Sequence, residues 1–309
     1  MNNTLKQLLS IYWLRPETAL WRQCDIIAMK NFKFISPSIE IGSGDGLFSF
    51  IRSGGNVNIK YDVFSSTSNI DKFFKNVDVY DHYNKKTPSS YFTNPKYKID
   101  IGFDHKKSLL LKSKPVGIYK DLKKGDANKI LPFESESFQS LFSNIIYWLR
   151  EPNFAISEIS RVLAPNGKAC LMLPDESFLE CSFYNNYYLK KKDKNFKFLN
   201  LIDRGRFSSN IKHAKSQKKW EKLFRDNNLR VFDHNKHLSK EIVYAWDIGF
   251  RPFFPMLKKM SDNLKISSKE KVKKEWINNL FNYAKPLIEL EKNNLSSRKT
   301  FHCYVLEKR

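Results

Sequence analysis

Apolar residues recur along this chain at two spacings, and the spacing switches repeatedly. The first stretch, TLKQLLSIYWLRPETALWRQCDIIAMKNFKF, carries them at helical intervals and is interrupted at Pro16. It predicts two helices, the second opened by Glu17 or Thr18. SIEIGSGDGLFSF, from Ser38 to Phe50, then reads as a buried strand, a tight glycine turn and the start of a helix ending near Ser53–Gly55. Strand and helix alternate again farther on. KIDIGFDH is a strand ending in an acid, KKSLLLKSK a helix, GIYKDLKKGDANKILPF a short strand with a second acid, and SFQSLFSNIIYWL a strand with a polar and aromatic exit. NFAISEISRVLAPNGKACLMLPDESF reads as helix, proline turn and apolar strand, KKWEKLFRDNNLRVFDHN as helix and strand, and FHCYVLEK as the last strand. Such alternation implies a parallel sheet covered by helices on both faces.

Two segments break the rhythm. Asn56 to Tyr97 is rich in Asp, Tyr, Phe and Ser with little periodicity. A loop of that length is functional or disordered, and its aromatic content argues against disorder. The second segment, from EIVYAWDIGF to IELEKN, lies before the last strand and is mainly helical. The expected organisation is a helical cap at 1–35, a core at 36–235 with an insert at 56–97, a helical insertion at 236–298, and a last core strand at 299–309. No internal repeat is present.

Composition narrows the class. A chain of 309 residues with 41% apolar and 15% aromatic content can bury a full core. No apolar run approaches the roughly 20 residues needed to cross a bilayer. The start, MNNTLKQLLSIYWLRPE, has one early Lys and no small-residue cleavage site, unlike a signal peptide. Cys24, Cys170, Cys181 and Cys303 are widely spaced without a C-x-x-C pair. That indicates neither a zinc site nor a disulfide framework, and fits a cytoplasmic protein. The formal charge of +22 suits nucleic acid, an anionic membrane surface or an acidic substrate. Its lysines are spread along the chain, however, with dense runs only at KKKDKNFK and KEKVKKEW. A lysine-solvated surface is the simpler reading. A nucleic-acid partner is not favoured, and peripheral membrane contact stays open.

The glycine turn carries the chemistry. In an open α/β sheet, ligands bind beyond the carboxyl ends of the strands, beside the first turn and its helix. A dinucleotide fingerprint needs G-x-G-x-x-G and an acid about 20 residues later. Here the spacing is G-x-G-x-G, position 47 is Leu, and the next acid ending a strand is Asp104. The G-K-S/T of a phosphate loop is absent.

E-I-G-S-G-D-G resembles the first motif of class I S-adenosylmethionine (SAM)-dependent methyltransferases. IDIGFD resembles their second-strand motif, GDANKILPFESESFQSLFSN the segment of their third and fourth strands, and RVLAPNGKACLMLP the entry to their fifth. The resemblance runs from Ser36 to Pro174. It implies a Rossmann-like, doubly wound α/β fold with a mostly parallel seven-stranded sheet, and SAM as cofactor. It further implies that Gly42, Gly44 and Gly46 let the cofactor approach the backbone and that Glu40 supports the loop and the methionyl ammonium. Asp104 would accept the ribose hydroxyls, Asp126 and Ala127 would meet the adenine, and Asn144 would line the methionyl side. The chain departs from the pattern at Gln139, at Asn166 in place of a turn glycine, and in the long gap before Asp104. Asn tolerates the left-handed backbone such a turn requires.

Methyl transfer asks chiefly for alignment of donor and acceptor, and for a base when the acceptor is a hydroxyl. Candidate catalytic residues are Tyr147, Asp81 and His82, with His105 and Trp148 beside them. His213, His234, His237 and His302 read as surface or strand histidines. WLRPETALW and DIGFRPFFPML each place Arg before Pro among aromatics, a chemistry suited to stacking on a sugar and gripping an anion. With the insert, these stretches resemble bacterial methyltransferases associated with surface-polysaccharide and lipopolysaccharide synthesis. That implies a sugar or glycan precursor methylated at oxygen. Alternatives are an RNA methyltransferase, a small-molecule or quinone methyltransferase, and a non-catalytic SAM-binding or scaffold protein. The chain shows no R-G-F-x-F stacking motif and no N-P-P-Y signature for the RNA reading.

Overall fold

Strand β1, Ser38–Ile41, is buried at all four positions, as a strand covered on both faces must be. The computed structural model describes residues 2–65, 87–203, 206–293 and 298–309. After β1 come β2 (Asn56–Val57), β3 (Phe92–Thr93), β4 (Ile99–Asp104), β5 (Tyr119–Lys124) and β6 (Phe138–Ser143). β7 (Leu163–Pro174), β8 (Leu229–Ser239) and β9 (Lys299–Lys308) complete the described strands. Seven of them form one sheet in the order β5-β4-β1-β6-β7-β9-β8, while β2 and β3 pair separately. All neighbours from β5 to β7 are parallel, and β9 runs antiparallel to both β7 and β8. The mostly parallel seven-stranded sheet read from the sequence is therefore present.

The order of strands locates the crevice. The chain leaves β1 for β4 and β5, then returns to β6 on the other side, so the direction of winding reverses beside β1. Ile41 is level with Phe103 of β4 and with Ser143 of β6. Three carboxyl ends thus finish together at the switch point, where such sheets bind ligands. Asn166 has φ +61°, so the asparagine holds the left-handed turn as expected.

Helices α1 (Asn2–Ile11) and α2 (Pro16–Ala28) cap this edge. The second opens at Pro16, not at Glu17 or Thr18. Proline at the first helical position gives up no intrahelical hydrogen bond, and its fixed φ suits the helix. Leu8, Leu9, Ile11 and Trp13 share one core with Ile39 and Ile41 of β1. Strand β8 reaches Ser239, four residues past the expected core boundary. Beyond it lie helices Lys240–Ile248, Phe254–Asp262 and Ile266–Lys292. Between β7 and β8, helices Phe178–Cys181, Phe198–Asp203 and Arg206–Ile211 occupy a stretch to which the sequence pattern assigned no element.

The described part of the insert is clamped between the two added helical regions. Gln7 accepts from the Val57 N–H at 2.8 Å, and the Trp13 indole donates to Asp62 at 3.1 Å. From the long C-terminal helix, Lys269 pairs with Asp62 at 2.9 Å. Its neighbour Lys273 is buried and donates to the carbonyls of Ile59 (2.9 Å) and Tyr61. Burial lowers the Lys273 ammonium to about 8, against the opposing charge of Asp62. Carbonyl ligands replace the water that an ammonium loses inside a protein.

A polar network runs across the antiparallel end of the sheet. His302 Nε2 lies 2.8 Å from Asp175, and its Nδ1 lies 2.9 Å from His234 Nε2. Burial, reinforced by His302, lowers His234 to about 4, and burial outweighs Asp175 in lowering His302 as well. Both imidazoles therefore take up a proton more readily in the unfolded chain. Their contribution to stability is present above the ordinary histidine value of about 6.5 and is lost as pH falls through the folded values. The urea midpoint is expected to drop between pH 6.5 and 4, and His234→Gln to flatten part of that drop in an unfolding series.

Candidate functional site

Three glycines in five residues turn the chain after β1, all at positive φ: Gly42 at +79°, Gly44 at +56° and Gly46 at +74°. The N–H groups of Gly42 and Ser43 both donate to the Phe103 carbonyl, at 2.8 and 3.1 Å, which ties the turn to the end of β4. The reason for glycine differs among the three. A Cβ on Gly42 would stand 2.6 Å from the Ile145 side chain, and one on Gly46 would stand 2.9 Å from the Tyr119 ring. A Cβ on Gly44 would meet nothing within 4 Å. Two make room for the protein's own packing, and Gly44 alone faces open space.

Asp104, buried at the tip of β4, fastens the turn from the side. Its Oδ2 accepts from the Gly44 N–H at 2.9 Å and its Oδ1 from the Lys106 N–H at 2.8 Å. A carboxylate has about four acceptor sites, so this geometry leaves capacity for two more donors. His105 is largely exposed, 3.5 Å from Asp104. Beyond β5, the Gly125 N–H donates to the Asp104 carbonyl at 3.1 Å, bringing the two acids of the motif side by side. Asp126 accepts from the Asn128 N–H and side-chain amide, both at 2.9 Å. Those bonds hold its carboxyl below the usual range. Ala127 is half-buried and packs against the core. Asn128 in turn accepts from the Arg150 N–H at 2.7 Å, which links this loop to the exit of β6.

Glu40 lies beneath the turn, 3% exposed. Its Oε2 accepts from the Ser49 hydroxyl and, at 2.9 Å, from the Tyr119 hydroxyl. Burial pushes the Glu40 carboxyl up to about 7, more than the two hydroxyls, Arg52 and Arg22 together pull it down. The adjoining Ser43 is also buried, and its Oγ has no hydrogen-bond partner among the described residues. A buried hydroxyl lacking a partner costs free energy unless a ligand supplies one.

At the exit of β6, the Ser143 hydroxyl donates to the Ile41 carbonyl at 2.9 Å, Asn144 is half-buried, and Ile145 fills the hollow over Gly42. Tyr147 is buried, with ring contacts to Trp148 at 5.1 Å and Phe301 at 5.6 Å. Burial, with Asp25 nearby, raises its hydroxyl above the ordinary value against the pull of Arg22. A hydroxyl held neutral in this way can donate a hydrogen bond but is a poor base near pH 7. Asp81 and His82 lie outside the described residues.

The fold therefore gathers Glu40, Gly44, Asp104 and Asp126 along one edge, with Asn144 at the same level. Ser43, Ser49 and Tyr119 were not singled out from the sequence. Ser43 and Ser49 flank the quoted glycines, so their proximity was readable, whereas nothing local marks Tyr119.

Residues 91–171 match the model of a family described as "Methyltransferase domain". That span takes in Asp104, Asp126 and Asn144. The chain carries a SAM-dependent methyltransferase domain. No curated protein matches the chain. Among solved structures, a SAM-dependent methyltransferase of Thermotoga maritima is 18% identical, with 75% of this chain and 80% of that one covered and a TM-score of 0.45. The 4+2 cyclase SpnF is 12% identical over 95% and 82%, with a TM-score of 0.45. A candidate sarcosine dimethylglycine methyltransferase of Galdieria sulphuraria is 10% identical over 96% and 86%, at 0.44. All three scores lie below 0.5, so the chemistry of the methyltransferase is read from its own residues. No helix among the described residues is long and apolar enough to cross a membrane.

The residues present fit the cofactor on two counts. Gly44 offers a bare backbone facing space, and Ser43 offers a buried hydroxyl without a partner.

Proposed function

We propose that this methyltransferase moves a methyl group from SAM to an oxygen of a sugar or glycan precursor. Bound SAM supplies a methyl carbon already activated by its sulfonium. The Gly44 backbone and Ser43 hydroxyl would receive the methionyl part, and the remaining acceptor sites of Asp104 would take the ribose hydroxyls. Asp126 and the Ala127 N–H would meet the adenine, and Asn144 would line the methionyl side. Glu40 would favour the methionyl ammonium from beneath the turn. Tyr147, held neutral, would orient the acceptor or wall its cleft, and Asp81 or His82 would serve as the base that a sugar hydroxyl requires.

The observation that carries the acceptor reading is the meeting of the two Arg-Pro stretches. Arg15 lies over Phe254 at 5.6 Å, Arg251 over Trp246 at 4.3 Å, and Trp21 packs on Trp246 at 5.0 Å. Burial, with Arg206 and Arg15 close by, lowers Arg251 to about 9 despite Asp247 and Glu17. Trp21 also packs on Phe301, which packs on Tyr147, so a run of largely buried rings leads from Arg251 and from Arg15, which is ion-paired with Glu17, to the exit of β6. Aromatic faces and guanidinium groups together suit a sugar bearing an anionic group.

The test is transfer of label from methyl-labelled SAM into matched pools of glycan precursors, RNA and small metabolites. Label recovered in the glycan pool as a methyl ether supports the proposal. Label confined to RNA or to the small-metabolite pool overturns it.

A further inference from the structure

We propose that Tyr119 and Ser49 are positioning residues that control the charge of Glu40, so that cofactor capture at the glycine turn is coupled to loss of one proton from Glu40. The proposal rests on the reading of this turn as the SAM site. It concerns how the site is regulated.

Tyr119 reaches Glu40 by an unusual route. Its ring passes beneath Gly102 within β4 and Gly46 at the end of the turn: a Cβ on Gly102 would stand 2.8 Å from it, and one on Gly46 would stand 2.9 Å away. Two glycines thus clear a channel for one ring. At its end the hydroxyl has two acceptors, Glu40 Oε2 at 2.9 Å and the Ser43 carbonyl at 3.3 Å. A phenol has a single hydrogen to donate. When Glu40 is ionised, that hydrogen goes to its carboxylate. When Glu40 is protonated, its need for a donor falls and the phenol can turn to Ser43, in the turn itself. The protonation state of a residue below the turn is thereby read out in the backbone that faces the ligand.

The groups around Glu40 set the balance. Helix α3 (Leu47–Arg52) brings the Ser49 hydroxyl and the Arg52 guanidinium, and α2 brings Arg22. Tyr97, before β4, feels the Glu40 charge, and Asp45 and Asp104 act on Tyr119 from the turn. The neighbours across the sheet, Gly102 and Phe142, carry no charge. Burial wins over all the favourable partners and leaves the carboxyl at about 7. A ligand ammonium at the turn favours the ionised form, so affinity rises with pH through that range and levels off above it.

S-Adenosylhomocysteine keeps the ammonium of SAM and serves as the probe. Calorimetry on the full chain from pH 5.5 to 8.5, in buffers of differing ionisation heat, reads both affinity and protons released. Wild-type protein is expected to bind roughly 10-fold or more weakly at pH 5.5 than at 8.5, with up to one proton released between. Tyr119→Phe removes a donor to the ionised carboxyl, so its midpoint moves up by about one unit. Glu40→Gln flattens the profile. Circular dichroism checks that each variant is folded, and the carboxyl infrared band reads Glu40 titration without any ligand. A flat wild-type profile, or an unmoved midpoint in folded Tyr119→Phe, overturns the proposal. Wild-type protein that binds no S-adenosylhomocysteine at any pH overturns the coupling and the cofactor site together. Tight binding with a flat profile overturns the coupling alone.

Discussion

Gly44→Val is expected to raise the Kd for S-adenosylhomocysteine at least 100-fold while the protein stays folded. The backbone at Gly44 has φ +56°, a region that costs an L residue about 1–2 kcal/mol and a β-branched one somewhat more. That strain is a fraction of the roughly 5–15 kcal/mol that holds a typical domain together. Nothing in the protein lies within 4 Å of the added Cβ, so no packing is displaced. The valine instead fills the space assigned to the cofactor, where a loss of about 2.7 kcal/mol of binding corresponds to 100-fold. Gly42→Val makes the contrast. Its Cβ would press into Ile145 at 2.6 Å, so overpacking of about 1–3 kcal/mol adds to the backbone strain and Tm falls. Calorimetry and thermal melts on both variants decide the matter. Unchanged affinity in Gly44→Val would mean that the open face of the turn belongs to something else.

Asp104→Ala should combine both losses. Its two oxygens accept from the N–H groups of Gly44 and Lys106, and truncation removes both of these hydrogen bonds. Both donors are half-buried, and hydrogen bonds to a charged group contribute about 1.5–3 kcal/mol, so unfolding in urea should show a drop of that order. Affinity for S-adenosylhomocysteine should also fall by 100-fold or more if the carboxylate accepts the ribose hydroxyls as proposed. Asp104→Asn separates the two roles. One amide oxygen still accepts from the turn, so stability falls by about 1 kcal/mol, while the lost charge-assisted bonds weaken binding by about 10-fold. Equal affinity in the asparagine variant and wild type would remove Asp104 from the cofactor site.

Much of the candidate site is legible in the sequence itself. The switch from alternating to helical spacing around Ser38–Phe50 marks a strand, a turn and a helix because each element writes its own period into the chain. Asp104 and Asn144 are legible for a similar reason: one ends and the other follows a largely apolar strand, and strand ends in a parallel sheet share one edge, whereas Asp126, two residues past the charged strand β5, is marked by its G-D-A motif. The opening of α2 at Pro16 was misjudged by a residue or two, since proline interrupts one helix and begins another equally well. The stretch from Phe178 to Ile211, between β7 and β8, has too little periodicity to read. Its aromatic rings pack on one another, as in the Phe183–Tyr187 stack at 4.3 Å, so its apolar residues need not line one stripe.

Local sequence determined the glycine-rich bend, the acids at the strand tips and the alternation that builds the sheet, because those properties depend on residues within a few positions of one another. Tertiary structure alone decided that Gly42 yields to Ile145, that Tyr119 crosses beneath Gly102 and Gly46 to Glu40, and that Arg15 lies over Phe254. Contacts of this kind join residues far apart in the chain. They depend on how the whole chain closes on itself and on which shapes then fit, and no local period encodes that.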